Sequence, residues 1–544
     1  MPDRSGDVLG KGAMRFFSRS LVTAMIATMV AFGLVGAGSA GAAGQSKPTL
    51  GNPTYGQAGS WITDGSGRVA VMHGFNMVNK LPSRGYLPSA FGFDEDDARF
   101  LAGQGFNAVR LGIIWKGLEP EPGVYDEAYL NDIFKTYQQM RAHGVAVMLD
   151  FHQDLYNERF QGAGMPDWAV VGPAATEEPT PQNGFPTNYV FQDAVNHAFD
   201  AFWDNMEVPG TGRGVQDFYA DAWAHVASRF SGEPGVAGYN LMNEPWQGSS
   251  LKSALLTTGC AATPDGCGIV EFEETKLAAF HKRVTKAIRK VDRDTMIWAA
   301  PTLAADFGAK SGATRLGPNT GFAFNAYCGQ VNPAIGLIIA FAKDKPCSYT
   351  AGLSFDNANS VSRRTGQALF MTEFGANDDV PRFIDYLDAA EKNMVSWTHW
   401  AYTGYEPDGG NDISAVVLDP SQPLTGSNIK WDKLKVLARP YPIRTSGTPR
   451  GWSWDEGTSE FRFDYSRSRV GGGKPFAAGA LTTVSVPAIQ FPDGYRVRVT
   501  GARVSSKPNA SRLKLVLCRG ARKVSVTVGP GKTGFAARRC GRAR

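Results

Sequence analysis

Short apolar runs alternate with longer amphipathic stretches from Val69 to about Leu437. The runs Val69–Asn76, Ala108–Ile113, Ala146–Phe151, Gly238–Met242, Met296–Ala300, Phe322–Asn325, Ala368–Thr372 and Ser396–Tyr402 predict strands, because strands covered on both faces need apolar residues without alternation. Between them, Asp94–Gln104, Tyr129–Gly144, Val215–Arg229, Glu271–Val291 and Pro381–Met394 repeat apolar residues at helical spacing. Eight strands with intervening helices predict an α/β fold, a (β/α)8 TIM barrel with enlarged loops. The oversized loops are 152–214, 246–269 and 328–347, all expected on the face where barrel loops shape a substrate site. After Pro440 the period changes. Phe461–Tyr465, Leu481–Val486, Tyr495–Val499, Leu513–Leu517 and Val524–Val528 alternate apolar and polar residues between turns, which predicts an all-β sandwich domain.

The amino terminus has a different layout. Arg15 and Arg19 precede an apolar stretch from Leu21 to Val35, and small residues follow through Ala43. That order predicts a secretory signal peptide cut between Ala40 and Ala43, with Met14 an alternative start. A retained anchor is the weaker alternative, since the apolar run falls short of a full span. The domain plan is thus residues 1–43 as leader, 44–440 as barrel and 441–544 as sandwich.

Six cysteines fit an oxidising, extracellular destination. They fall into neighbouring couples, Cys260 with Cys267, Cys328 with Cys347 and Cys518 with Cys540, and pairing within couples closes one loop each. None has the spacing of a zinc site. Net charge is +5, but residues 503–544 hold twelve lysines and arginines and no acid, which leaves the remainder at −7. The basic tail is either a solvated face or a contact for an anionic surface. Glycines are scattered rather than gathered into a phosphate loop, so no nucleotide or nucleic-acid partner is expected. No cofactor or metal is called for, and a monomer is expected.

The chemistry centres on two glutamates. Glu244, in Asn243-Glu244-Pro245, follows the fourth predicted strand, and Glu373, in Thr372-Glu373-Phe374-Gly375, ends the seventh. Both fall at the carboxyl ends of strands, where α/β folds keep their reactive groups. Two carboxyls facing one cleft suffice to break a glycosidic bond. With Glu244 as proton donor and Glu373 as nucleophile, configuration is retained if the carboxyls lie about 5–5.5 Å apart, and inverted if they are wider. Their ionisation must differ, which mutual repulsion promotes.

These motifs resemble glycoside hydrolase family five, within the cellulase-like clan of retaining (β/α)8 glycosidases. The resemblance implies that Arg110 supports the nucleophile, that Asn243 holds the sugar 2-hydroxyl, and that Trp400 is a sugar platform. His73-Gly74-Phe75-Asn76-Met77-Val78-Asn79-Lys80, Asp150-Phe151-His152-Gln153-Asp154 and Pro440-Tyr441-Pro442 narrow the likeness to endoglycoceramidases. These cleave the bond between an oligosaccharide and its ceramide. By that resemblance Lys80, His152 and Asp154 bind the first sugar, Trp203 contributes a wall, and the partner is a glycosphingolipid, met through transient contact with a membrane surface.

One position departs from the pattern. Asn325 stands where the family usually has a histidine, two residues before Tyr327. Tyr327 retains a hydroxyl for Glu373, but Asn325 cannot become cationic, so selectivity or pH response is expected to differ.

Simpler readings stand beside these. Arg110 is otherwise a structural ion-pair partner, His152 a loop histidine, and Trp203 a core aromatic. The apolar run Ile335–Phe341 either lines an acyl-chain groove or packs as a barrel element. Two other functions fit the fold: an endoglucanase or mannanase acting on polysaccharide, and a non-catalytic glycolipid-binding barrel.

Overall fold

A computed structural model describes residues 54–258, 260–329, 335–404, 413–531, 534–535 and 540, apart from the side chains of 256–258, 335, 338 and 534–535. The expected leader, 1–43, lies outside the described residues.

Eight parallel strands close a barrel: β1 (His73–Met77), β2 (Ala108–Ile113), β3 (Ala146–Phe151), β4 (Val236–Asn240), β5 (Ile297–Ala299), β6 (Thr320–Asn325), β7 (Ala368–Glu373) and β8 (Ser396–His399). β8 returns to β1 through Trp397 opposite His73. Every residue of these strands is buried. Inside the barrel Trp298 is fully buried and donates its indole N–H to the Ala237 carbonyl at 2.9 Å. Gly321 and Gly238 make room for that ring, since a Cβ on either would fall 2.0 and 2.4 Å from it.

The predicted run Val69–Asn76 proves to be two elements. Val69–Ala70 is the last of three short amino-terminal strands, after Tyr55–Ala58 and Trp61–Asp64, and it pairs antiparallel with Tyr441–Thr445. These strands belong to the seven-stranded sheet of the carboxyl-terminal domain, so the expected 44–440 span does not coincide with the barrel. The cause is packing. Val69 and Val71 join the sandwich core, while Tyr55, Ile62, Ala70 and Met72 cover the barrel's amino-terminal end beside Met296, Trp298 and Phe370.

The sandwich sets that sheet against a five-stranded one containing Thr448–Asp455, Glu460–Ser466, Lys523–Pro530 and Tyr495–Thr500. Trp452, Phe461, Phe463, Leu513, Leu515 and Val526 fill the space between. His73 is stacked between Trp397 of the barrel and Tyr441 of the sandwich, with centroids 4.3 and 3.7 Å away. The Tyr441 hydroxyl donates to the Gly105 carbonyl at 3.0 Å. All three cysteine couples are disulfide-bonded as expected.

Because Trp298 fills the barrel centre and its N–H is satisfied, Trp298→Ala is expected to cost about 3–5 kcal/mol. Denaturant unfolding of the disulfide-intact protein reads that loss as a lower midpoint with an unchanged slope.

Candidate active site

Glu373 is the last residue of β7. Gly375 follows it at φ 102°, and a Cβ there would lie 2.4 Å from the His399 ring, so the turn requires glycine. Glu244 is reached differently. β4 stops at Asn240, and the chain runs on through Leu241–Asn243 before Glu244 adopts φ 40°, an uncommon conformation for a side-chain-bearing residue. Gln153 secures this turn: its Nε2 donates to the carbonyls of Asn243 and Glu244, at 2.9 Å each. Asn243 returns a bond from Nδ2 to the Gln153 carbonyl at 3.1 Å.

Both glutamates line one cavity of about 530 Å³. Asn243 and Tyr327 stand beside them, and Lys80, His152, Asp154 and Trp400 share the lining. Lys80 Nζ lies 2.5 Å from Asp154 and 4.6 Å from the Trp400 ring centroid. His152 stacks on Trp400 at 5.2 Å and reaches Asp150 at 2.8 Å and Asp154 at 3.3 Å. Burial works against a charged His152, but the two carboxylates outweigh it and raise its pKa.

Arg110 lies behind this lining with its side chain 1% exposed. Nη1 donates to Glu373 Oε1 at 2.5 Å and to Asn76 at 3.0 Å. Nη2 reaches Asn243 and Asp150, both at 2.9 Å, and Nε donates to Asn240 at 2.9 Å. The other oxygen of Glu373 accepts from the Tyr327 hydroxyl at 2.8 Å.

The two carboxyls are therefore in unequal surroundings. Burial holds the pKa of Glu373 above its ordinary value, against Arg110, His152 and Tyr327, which favour its anion. Among the described residues Glu244 has no ion pair, and the neutral Asn325 Nδ2 donates to it at 2.8 Å. Burial first, then the charges of Glu373 and Asp154, push its pKa up to about 8. A protonated Glu244 facing an ionised Glu373 is the arrangement for donating a proton on one side of a bond and attacking on the other.

Trp203 needs correcting. It is 6% exposed, packed among Phe199, Phe202, Phe272 and Phe280, and its N–H donates to the Trp246 carbonyl at 2.8 Å. It lies in the core outside the cavity lining. The run Ile335–Phe341 also differs from a continuous groove. Leu337 is 46% exposed, whereas Ile339 is fully buried, and none of its described side chains lines the cavity. Leu303, Phe307 and Cys328 supply apolar lining instead, with Phe185.

Four participants escaped the sequence reading. Asp150 lay within a motif already quoted, with no role given. Asn76 and Asn240 sit at strand positions that apolar patterning passes over. Asp306 belongs to the turn Leu303–Phe307 after β5, which no motif marks. Among the described residues no cluster of His, Cys, Asp or Glu has the arrangement of a metal site.

Comparison with known proteins agrees with this geometry. Residues 73–406 match Cellulase (glycosyl hydrolase family 5), and residues 439–528 match the glycoside hydrolase family 5 C-terminal domain. The chain is 30% identical to Endoglycoceramidase I of Rhodococcus hoagii (strain 103S), over 88% of each chain. Among solved structures it is similar to Endo-glycoceramidase II from Rhodococcus sp. as its lactosyl-enzyme intermediate, with 28% identity and a TM-score of 0.65 over 87% of this chain and 100% of that one. The same protein in complex with ganglioside GM3 gives 27% identity and a TM-score of 0.66, over 87% and 99%. With its barrel and its carboxyl-terminal β-domain both matched, the chain belongs to glycosyl hydrolase family 5 and is a glycoside hydrolase.

Proposed function

We propose that this glycoside hydrolase is a secreted, retaining endo-glycosidase that cleaves the β-glycosidic bond between an oligosaccharide and ceramide. The observation that carries the mechanism is the unequal pair in one cavity: Glu373 between Arg110 and Tyr327, Glu244 with no ion pair among the described residues. Glu373 attacks the anomeric carbon as Glu244 passes its proton to the departing ceramide oxygen. The result is a glycosyl ester on Glu373 and free ceramide. Water then enters, Glu244 takes one of its protons, and the hydroxide attacks the same carbon to release the sugar and restore both carboxyls. Arg110 keeps the attacking oxygen aimed, and Asn243, fixed by Gln153 and Arg110, presents its amide toward the sugar.

The substrate reading rests on the likeness to the two endoglycoceramidases, one solved with ganglioside GM3, and on a cavity with two kinds of lining. Lys80, His152, Asp154 and Trp400 offer charge, hydrogen bonds and an aromatic face to a sugar. Leu303, Phe307 and Phe185 offer an apolar exit suited to the ceramide. Leu337, exposed on the surface, offers an apolar side chain for transient contact with a lipid layer that would present the substrate. Secretion is supported by the amino-terminal layout and three disulfides. Among the described residues no helix is long and apolar enough to cross a membrane.

Release of oligosaccharide from a ganglioside or galactosyl lipid, with cellulose as control, tests the assignment. Glycan release from lipid with none from cellulose is expected, and the reverse identifies a polysaccharide hydrolase. Glu373→Ala is expected to abolish turnover, and retained activity would remove Glu373 as nucleophile. Glu244→Gln should lose about 10²- to 10⁴-fold on lipid and far less on an aryl glycoside whose leaving group needs no proton. Because Glu244 must be protonated to act, kcat/KM on lipid should fall as pH rises through about 8. Leu337→Asp should weaken hydrolysis in vesicles about tenfold while sparing a soluble aryl glycoside. Equal loss on both would show that Leu337 serves only the fold.

A further inference from the structure

A third carboxyl stands at the site with no function assigned. Asp306 is 2% exposed, and its side chain is within hydrogen-bonding reach of Glu244 and Asn325. Its backbone is fixed: the Asp306 carbonyl accepts from Tyr327 N–H at 2.7 Å, and Leu303 N–H at the start of its turn donates to the Pro245 carbonyl at 3.2 Å. A neutral donor nearby is shared: Asn325 Nδ2 donates to Glu244 at 2.8 Å and is also within reach of Asp306, while Asn325 Oδ1 accepts from the Thr372 hydroxyl at 2.9 Å. Asp306 Oδ2 is left with no donor, and among the described residues no cation is paired with the group.

Two carboxylates cannot be buried side by side under these conditions. Each charge would lack compensation, and their repulsion would add to the loss of solvation. A proton on Asp306 removes the repulsion and one of the two charges and turns the contact into a hydrogen bond; a second, on Glu244, leaves the resting pair neutral. A carboxyl oxygen that no donor reaches, beside a second carboxyl, suits an acid O–H, which donates instead of accepting.

We infer that Asp306 is a neutral carboxylic acid that donates its O–H to Glu244, holding the acid/base group in place and steadying it once its proton has gone to the leaving group. This rests on the reading of Glu244 given above. Asp306 is a positioning residue: its proton stays on its own oxygen throughout, and no bond to substrate involves it. Its value lies in the second half of the reaction. There Glu244 is a buried anion with Asn325 as its only other side-chain donor among the described residues, and the Asp306 O–H supplies a second. The remaining charged or titratable groups facing the pair are Glu373, Asp154, Arg110, Tyr189 and Tyr327. The first two repel a charge on the pair, Arg110 already serves Glu373 and Asp150, and the tyrosines are neutral. Burial, then Glu244 and Glu373, push Asp306 well above the usual carboxylate range, in keeping with a retained proton.

Asp306→Asn and Asp306→Leu separate this from the alternatives. Asparagine keeps a neutral donor, so the loss of kcat on an activated aryl glycoside, where the second step limits, is expected to be about threefold, with the alkaline limb of the pH profile unmoved. Leucine removes the donor. About a 10- to 100-fold loss of kcat is expected, with the alkaline limb on lipid moved to higher pH because Glu244 then holds its proton more tightly. Difference infrared spectra of wild type against Asp306→Asn at about pH 10, above the Glu244 transition, should contain a protonated-carboxyl band that the variant lacks. A downward shift of the alkaline limb in Asp306→Asn would mean that Asp306 is ionised and would overturn the inference. So would the absence of that band, or wild-type kinetics in Asp306→Leu. The infrared result does not depend on turnover, so it stands or falls separately from the role of Glu244, which Glu244→Gln tests.

Discussion

One guanidinium organises the site. Arg110 has five N–H bonds: Asn240 accepts from Nε, Asn76 and Glu373 from Nη1 and Asn243 from Nη2, while Asp150 adds an ion pair, its Oδ1 2.9 Å from Nη2. These partners come from strands β1, β3, β4 and β7 and the turn after β4, so one side chain ties together much of the barrel mouth. A buried cation is tolerable only when its charge and every donor are answered. Lysine, with its point charge and three donors, could not replace it. Aiming the Glu373 oxygen and fixing the Asn243 amide are thus the same structural act.

From this clamp follows the difference between the two glutamates. Glu373 ends a strand and receives the cation; Glu244 lies beyond a strand end, on a turn that Gln153 holds in a left-handed conformation. Strain of this kind persists only where surrounding bonds over-determine the backbone. Here the bonds are to the carbonyls of Asn243 and Glu244, which places the side chain over the cavity away from the guanidinium. Position along the fold, more than residue type, gives one carboxyl a cationic partner and leaves the other without one, the difference on which the proposed roles of nucleophile and proton donor rest.

Much of this was legible in the sequence, because burial on both faces of a parallel strand leaves uninterrupted apolar runs. Ala108–Ile113 and Ala146–Phe151 form strands with those bounds, and Glu373 falls at a strand end as the pattern implies. The failures are also physical. Val69–Asn76 reads as one strand, yet it crosses from sandwich to barrel, since apolar patterning does not say which core a residue enters. The helix Cys347–Thr365 buries Thr350, Ala351, Ser354, Phe355, Ala358 and Val361 along one side, a stripe too rich in small and polar residues to register as amphipathic. Trp203 invited a sugar-platform reading because a tryptophan near an active-site loop looks the same whether it faces a ligand or other aromatics. Asp306 was invisible, since an acid in an unremarkable turn gains meaning only when folding sets it against Glu244.

Asn325 connects these observations through charge. In and behind the cavity lining, buried Lys80, Arg110 and His152, whose pKa its carboxylate neighbours raise, pair with three acids, Asp154, Asp150 and Glu373. That set is balanced, so a charge on either remaining acid, Glu244 or Asp306, would be uncompensated in a medium that solvates charge poorly. A histidine at position 325 could supply a further cation beside Glu244 and allow one of these acids to ionise. Asparagine cannot. It offers Glu244 a neutral N–H and leaves protonation as the way to keep both acids buried. A single uncharged side chain thereby biases the pair toward the protonated form that proton donation requires.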